Sequence, residues 1–198
     1  MILAIEQGLE PVRVRLDRPM TDGELRRFCA ANEPARVERD ANGDLIIMSP
    51  NFPAGNAIEG EIYAELLFWA RENGRGKVFS ATAGFTLPDG SMRAADVAWV
   101  DRRRWDALSA KQLDSFTALT PEFVIEVRSK SDRLAPLREK MESWITNGAE
   151  LGWLIDPERK VVEVYRAGEA VEVFEDPTSV AGTGPVRGFE LVMGRVWG

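Results

Sequence analysis

The sequence predicts a mixed α/β or α+β fold in which a β-sheet is flanked by helices. Two observations predict it. Segments of strand and helix periodicity follow one another as strands, helix, strands, helix, strands, an order that layers helices against a sheet. No internal repeat, low-complexity tract or Pro/Gly/Ser-rich linker divides the 198 residues, so residues 1–198 are expected to form one domain with a sizeable core.

The elements follow in order. Residues 12–16, Val12-Arg13-Val14-Arg15-Leu16, alternate apolar and charged as a half-buried strand does. Thr21-Asp22-Gly23-Glu24 is a capping box and predicts a short helix to about Ala31. Residues 36–40 and 44–48 flank Ala41-Asn42-Gly43, where Asn-Gly predicts a tight hairpin. This strand, helix and hairpin form an N-terminal extension to the main sheet.

A longer helix is expected over residues 56–73, closed by Gly74. Ile58, Ile62, Leu66 and Trp69 make its main stripe, and Tyr63, Leu67 and Phe68 widen it. That width predicts burial on most sides. Its carboxylates Glu59, Glu61 and Glu65 then matter, because a buried charge must be paired or bound.

Strands are expected at 77–80, 84–87 and 96–100, with a turn at Asp89-Gly90 and a short helix at 102–108. Pro121 precedes a strand at 123–128. A helix over 132–147 carries Leu134, Leu137, Met141, Trp144 and Ile145 on one face and ends at Gly148. Ser131-Asp132 reads as its cap. Residues 151–155 and 161–165 form a hairpin across Asp156-Pro157-Glu158-Arg159, with further strands at 170–174 and 189–192.

Composition narrows the chemistry. The chain has no histidine, which excludes Ser-His-Asp catalysis, Cys-His catalysis and histidine-ligated zinc. Its single cysteine, Cys29, can make neither an internal disulfide nor a multi-cysteine metal site. Any metal must therefore be held by oxygen ligands, which suit Mg²⁺, Mn²⁺ or Ca²⁺. The net charge of -7 runs against a non-specific nucleic-acid binder, although a local basic patch can coexist with an acidic remainder. No apolar run approaches the ~20 residues that span a bilayer. The first residues, Met1 to Glu6, lack the features of a signal peptide. A cytoplasmic protein is expected.

The most informative segment is Phe123-Val124-Ile125-Glu126-Val127-Arg128, a run suited to a strand buried on both faces. Alternation puts Val124, Glu126 and Arg128 on one face and Phe123, Ile125 and Val127 on the other. An ionised glutamate there needs a structural partner, Arg128 or Arg93, or a bound cation. Asp96 opens a second apolar strand, either as a turn residue or as a second site carboxylate. If the strands are neighbours, the two carboxylates converge and repel unless a cation lies between them. A divalent metal held there could activate water and polarise a phosphoryl oxygen. Two basic side chains could assist: Arg128 on the face of Glu126, and Lys140 on the following helix. Lys140 lies roughly 80° from the centre of its helix stripe, placed either to snorkel along Trp144 or to stay in solvent.

The order Asp96 … Glu126-Val127-Arg128 resembles the PD-(D/E)XK nuclease superfamily. Within it, the chain is similar to the Uma-two group of restriction-endonuclease-like proteins. The matching stretches include Gly84-Phe85-Thr86-Leu87-Pro88, Arg93-Ala94-Ala95-Asp96-Val97-Ala98-Trp99-Val100, and Pro121 through Asp132. Glu139-Lys140-Met141, Asn147-Gly148-Ala149 and Leu151-Gly152-Trp153-Leu154-Ile155 continue the match. The resemblance implies a restriction-endonuclease-like mixed sheet flanked by helices. It also implies one or two Mg²⁺ or Mn²⁺ ions bound by Asp96, Glu126 and the Val127 carbonyl. Relatives often add a glutamate from the preceding helix; Glu61 is the first candidate, with Glu59 and Glu65 open. The superfamily's strand lysine is replaced here by Arg128, which cannot act as a base, so Lys140 is favoured to supply the amine from the helix.

The expected function is thus a metal-dependent endonuclease that hydrolyses DNA phosphodiester bonds, working as a homodimer without a membrane. The alternative is a non-catalytic binding or assembly protein on a nuclease fold, to which the acidic balance and Arg128 point. Arg102-Arg103-Arg104 is either a phosphate-contacting cluster or a solvated helix start.

Overall fold

In the computed structural model, residues 11–49, 53–130 and 132–197 are described. The expectations for the first ten residues and for Ser131 lie outside them.

The N-terminal elements are β1 (Val12–Val14), α1 (Asp22–Ala31), β2 (Arg36–Arg39) and β3 (Leu45–Met48). The Thr21–Glu24 capping box forms with both of its hydrogen bonds. The β2–β3 hairpin turns at Gly43, whose φ of 87° suits the left-handed geometry that glycine tolerates. These elements do not hang off the main sheet. Two very short strands, β5 (Phe85–Thr86) and β6 (Met92–Arg93), pair onto them, as does β8 (Thr117–Ala118). The result is a second six-stranded sheet ordered β1-β3-β2-β6-β5-β8. Leu25 and Phe28 of α1 pack on it against Val37, Leu45, Ile47 and Met92.

The main sheet is ordered β12-β11-β10-β9-β7-β4. It contains β4 (Gly76–Ser80), β7 (Val97–Asp101), β9 (Phe123–Val127), β10 (Leu151–Asp156), β11 (Val161–Arg166) and β12 (Glu172–Glu175). β9 and β10 are parallel and the other neighbours antiparallel. The parallel pair is connected through α5 (Leu134–Thr146), as a parallel crossover requires. Against one face lies α2 (Pro53–Asn73), whose Ile62, Leu66 and Ala70 meet Val97, Trp99, Phe123, Ile125 and Val127. The small β13 (Ser179–Ala181) and β14 (Glu190–Val192) pair, with α6 (Gly194–Trp197), completes that layer. Against the other face lies α5, with Met141 and Trp144 on Val124, Leu154, Ala98 and Val100. Helices α3 (Arg102–Asp106) and α4 (Ala110–Leu113) sit between strands at the periphery.

Two local expectations are corrected. α2 buries one line, Glu59, Ile62, Leu66 and Ala70, and Phe68 is 61% exposed, because a helix against a sheet can cover only one stripe. α5 begins at Leu134 with Arg133 at its N-cap, while the Asp132 carboxylate accepts the Ser129 N–H instead of capping the helix.

Candidate active site

The alternation of β9 is as the sequence requires. Phe123, Ile125 and Val127 enter the α2-side core, while Val124 faces α5. Glu126 shares that second face and is 2% exposed. β7 runs antiparallel to β9 with Val97 opposite Ile125 and Ala98 opposite Val124. One step further along the same register, Asp96 stands opposite Glu126. The Asp96 Oδ2 accepts the Val127 N–H at 2.8 Å, which fixes the carboxylate at the end of β9. Strand order thus brings together two acids 30 residues apart in sequence.

Lys140 and Trp144 lie one turn apart on the buried ridge of α5 and both reach Glu126. The Lys140 ammonium is 2.9 Å from the Glu126 carboxylate, and the Trp144 indole N–H donates to Oε1 at 2.9 Å. Lys140 also donates to the Ala94 carbonyl at 2.9 Å and pairs with Glu38 at 2.8 Å. Three acceptors for three N–H donors leave the ammonium fully engaged. The amine that meets Glu126 is thus the one on the helix. Arg128 points elsewhere: its guanidinium pairs with Asp156 at 2.7 Å and donates to the Asp132 carbonyl at 3.1 Å.

Among the α2 glutamates, the structure separates the three candidates. Glu61 is exposed, half a helical turn away from the stripe that meets the sheet. Glu65 is held by Arg195. Glu59 is the buried one, three residues before Ile62 on the packed face. Burial and then the nearby Asp96 charge push its carboxyl up to about 8. By helical phase it is Glu59, and not the exposed Glu61, that lies near Asp96.

β2 of the second sheet adds two residues that the sequence reading did not single out. Arg36 and Glu38 alternate onto one face. Arg36 pairs with Asp96 Oδ1 at 3.0 Å, and Glu38 joins Lys140 and Arg93. Three charges in Arg36-Val37-Glu38-Arg39 look like a solvated strand, yet Glu38 and Arg39 are buried. The only sequence signal was this density of charge in a strand-forming segment.

The electrostatics follow from crowding. Burial pushes the Glu126 carboxyl up to about 7, and Asp96 and Glu38 add to the rise against the pull of Lys140. Burial also acts on Glu38, but Lys140 and Arg93 outweigh it and hold that carboxyl below its usual range. Lys140 resists its own desolvation because Glu126, Glu38 and Asp96 surround it, and its ammonium is held more firmly than usual. Among the described residues, no three acidic side chains stand together as a group ready to hold a metal ion. In this arrangement basic side chains occupy the carboxylates.

The Arg102–Arg104 cluster is at the opposite end of β7 from Asp96. Arg102 pairs with Asp106 and Arg104 with Glu122. It is therefore not part of this site.

A family model described as "Uma2: Putative restriction endonuclease" matches residues 22–194. Among solved structures, the chain is similar to one described as a "putative nuclease belonging to DUF820" from Anabaena variabilis. The identity is 20%, the match covers 90% of this chain and 98% of that one, and the TM-score is 0.73. At that identity the likeness establishes a shared fold. No curated protein matches the chain. Among the described residues, no helix is long and apolar enough to cross a membrane.

Proposed function

The chain belongs to the Uma2 family, and from that premise we propose that it is a metal-dependent endonuclease hydrolysing DNA phosphodiester bonds. The observation that carries the reading is the meeting of Lys140 from α5 with Glu126, beside an Asp96 fixed at the end of the neighbouring strand. Two carboxylates at the ends of neighbouring interior strands, with one amine from the helix packed on them, are the side chains such a hydrolysis needs.

The donor chemistry fits a hard divalent cation, Mg²⁺ or Mn²⁺, because only carboxylate and carbonyl oxygens are present in a chain without histidine. Burial first, and then the charge of Asp96, raise the Glu59 carboxyl, and a divalent cation would relieve the second of these. Asp96, Glu126 and the Val127 carbonyl would hold it, with Glu59 in support in place of Glu61. Bound there, a metal lowers the pKa of water and polarises a phosphoryl oxygen. Arg36 must release Asp96 Oδ1 for that carboxylate to take up a metal.

The chain's own residues do the rest. The Lys140 ammonium donates to the oxygens on which negative charge grows as the phosphorus becomes pentavalent. It can do so once Glu126 releases it, with Ala94 and Glu38 keeping it in place. Trp144 holds the Glu126 carboxylate in its orientation through the indole N–H. Arg128, fixed on Asp156, acts as a stationary positive charge at the end of β9. We read the two sheets as parts of one domain; in support, Arg36 and Glu38 of β2 meet Asp96, just before β7, and Lys140 of α5. We further read the protein as a cytoplasmic homodimer able to address both DNA strands; light scattering from a monomer at micromolar concentration contradicts the dimer.

One observation favours the rival, a non-catalytic nuclease-fold protein: both Asp96 oxygens and all three Lys140 donors are already engaged. The test offers polynucleotides and free nucleotides to wild type and Asp96→Ala with Mg²⁺ or Mn²⁺. Wild type should cut DNA alone, and the variant should fold but lose both Mn²⁺ binding and cleavage. No metal-dependent cutting of any substrate selects the rival.

A further inference from the structure

We propose that Glu38 is a positioning residue for the reaction, holding the Lys140 ammonium in place from the second sheet. The inference rests on the nuclease reading above. Glu38 lies on β2, 102 residues from Lys140 in sequence, yet its Oε1 is 2.8 Å from the ammonium. It is 2% exposed, so the pair is screened little by solvent.

The Glu38 carboxylate is itself fixed on two further sides. Its Oε2 accepts from Arg93 Nη1 at 3.0 Å, and its Oε1 accepts the Ala94 N–H at 3.3 Å. Ala94 in turn gives its carbonyl to Lys140 at 2.9 Å. Glu38, Arg93 and Ala94 therefore form one rigid anchor around the ammonium, two residues before Asp96.

The anchor has a specific task. Glu126 is the partner of Lys140 that the reaction needs for other work. When Glu126 lets go, an ammonium with no other counter-ion would be left buried and would swing toward water. Glu38 prevents this, because its contacts with Arg93 and Ala94 keep it committed to Lys140. The two carboxylates thus divide the labour: Glu126 serves the reacting centre, and Glu38 keeps the amine aimed. An ordinary structural ion pair would account for stability alone.

The test compares wild type with Glu38→Gln, which keeps the shape and removes the charge. Loss of an outer partner of a metal-dependent site typically costs about 10–100-fold, so kcat should fall by that factor. KM for DNA and Mn²⁺ affinity should stay within about twofold, because Glu38 is buried and outside the set of groups proposed to hold the metal. In parallel, reductive methylation of the metal-free protein, read by mass spectrometry, should modify Lys140 several-fold faster in the variant. Unchanged kcat in a folded variant, or a loss confined to KM or Mn²⁺ affinity, overturns the assignment. If wild type cuts no DNA, the nuclease reading fails, and the inferred role in the reaction falls with it. Methylation of Lys140 would still report whether Glu38 holds the amine, so the two failures are distinguishable. Should Glu38→Gln not fold, Glu38→Asp keeps the charge but draws it back by one methylene. Its kcat should still fall with Mn²⁺ affinity intact, and full activity would overturn the inference.

Discussion

Replacing Lys140 with methionine keeps most of the buried stem and deletes one charge from a closed cluster. The ammonium lies 2.8 Å from Glu38 and 2.9 Å from Glu126, side chains that are 3% and 2% exposed. Glu38 retains Arg93, while Glu126 retains the Trp144 indole N–H and the nearby charge of Arg36. Removing one partner of a buried ion pair costs about 3–5 kcal/mol when the other stays charged. Glu126 can escape part of that cost by protonation: its carboxyl sits at about 7 while Lys140 pulls it down, and losing that pull moves it higher. At pH 6 the carboxyl is protonated with or without Lys140, so the loss in Lys140→Met should be small. Above about 7 only the wild-type carboxyl gives up its proton, and the loss grows by about 1.4 kcal/mol per pH unit, to about 1.4 kcal/mol at pH 8. For a chain of this size that is a fall in Tm of roughly 3–6 °C at pH 8. Calorimetric or circular-dichroism melts at the two pH values decide it. An equal loss at both pH values, or less than about 1 kcal/mol at pH 8, would refute the idea that this amine neutralises a buried carboxylate.

Other consequences follow from the same contacts. Arg36→Met frees Asp96 Oδ1 and should tighten Mn²⁺ binding about tenfold, equivalent to about 1.4 kcal/mol by calorimetry; unchanged affinity contradicts competition between the guanidinium and a metal. Glu163 is buried against Arg138 and Tyr165, and its carboxyl is held below its usual range despite the opposing effect of burial. A lowered folded-state pKa gives stability that is present above the unfolded value and lost as pH falls. Glu163→Gln should thus lower Tm at neutral pH and flatten the acid limb of the Tm–pH curve; an unchanged limb contradicts it. A Cβ on Gly76 would lie 2.2 Å from the Trp99 indole, so Gly76→Ala should lose about 1–3 kcal/mol through overpacking. Gly60, on the exposed side of α2, has nothing within 4 Å of such a Cβ, so Gly60→Ala should gain about 0.5–1 kcal/mol. Chemical melts that fail to separate these two glycines contradict the packing account.

What could be read from sequence was what local chemistry determines. The Thr21–Glu24 box, the Asn42-Gly43 turn and the Gly74 helix end depend on neighbouring residues, and each forms. Asp96 and Glu126 stood out because ionisable groups in apolar strands demand compensation. The second sheet did not stand out, because β5, β6 and β8 have two residues each, too few to show alternation. Glu59 was passed over for Glu61, although helical phase separates them by roughly 200° and only Glu59 shares the stripe of Ile62 and Leu66. Arg36 and Glu38 were illegible for a different reason. Their partners lie 60 and 102 residues away, and a charged strand segment reads as solvated until the opposing surface is known. Arg128 looked like a partner of Glu126 by strand parity, but β9 ends at Val127, so parity no longer governs where that side chain turns.

The central claim is that the carboxylates at the ends of β7 and β9 form a metal-dependent DNA-cutting centre. Cleavage of labelled linear and supercoiled DNA with Mg²⁺ or Mn²⁺, by wild type and by Glu126→Ala, tests it most directly. The account predicts metal-dependent cutting by wild type and none by the folded variant. Cutting that survives in Glu126→Ala, or its absence from wild type with either metal, would contradict it.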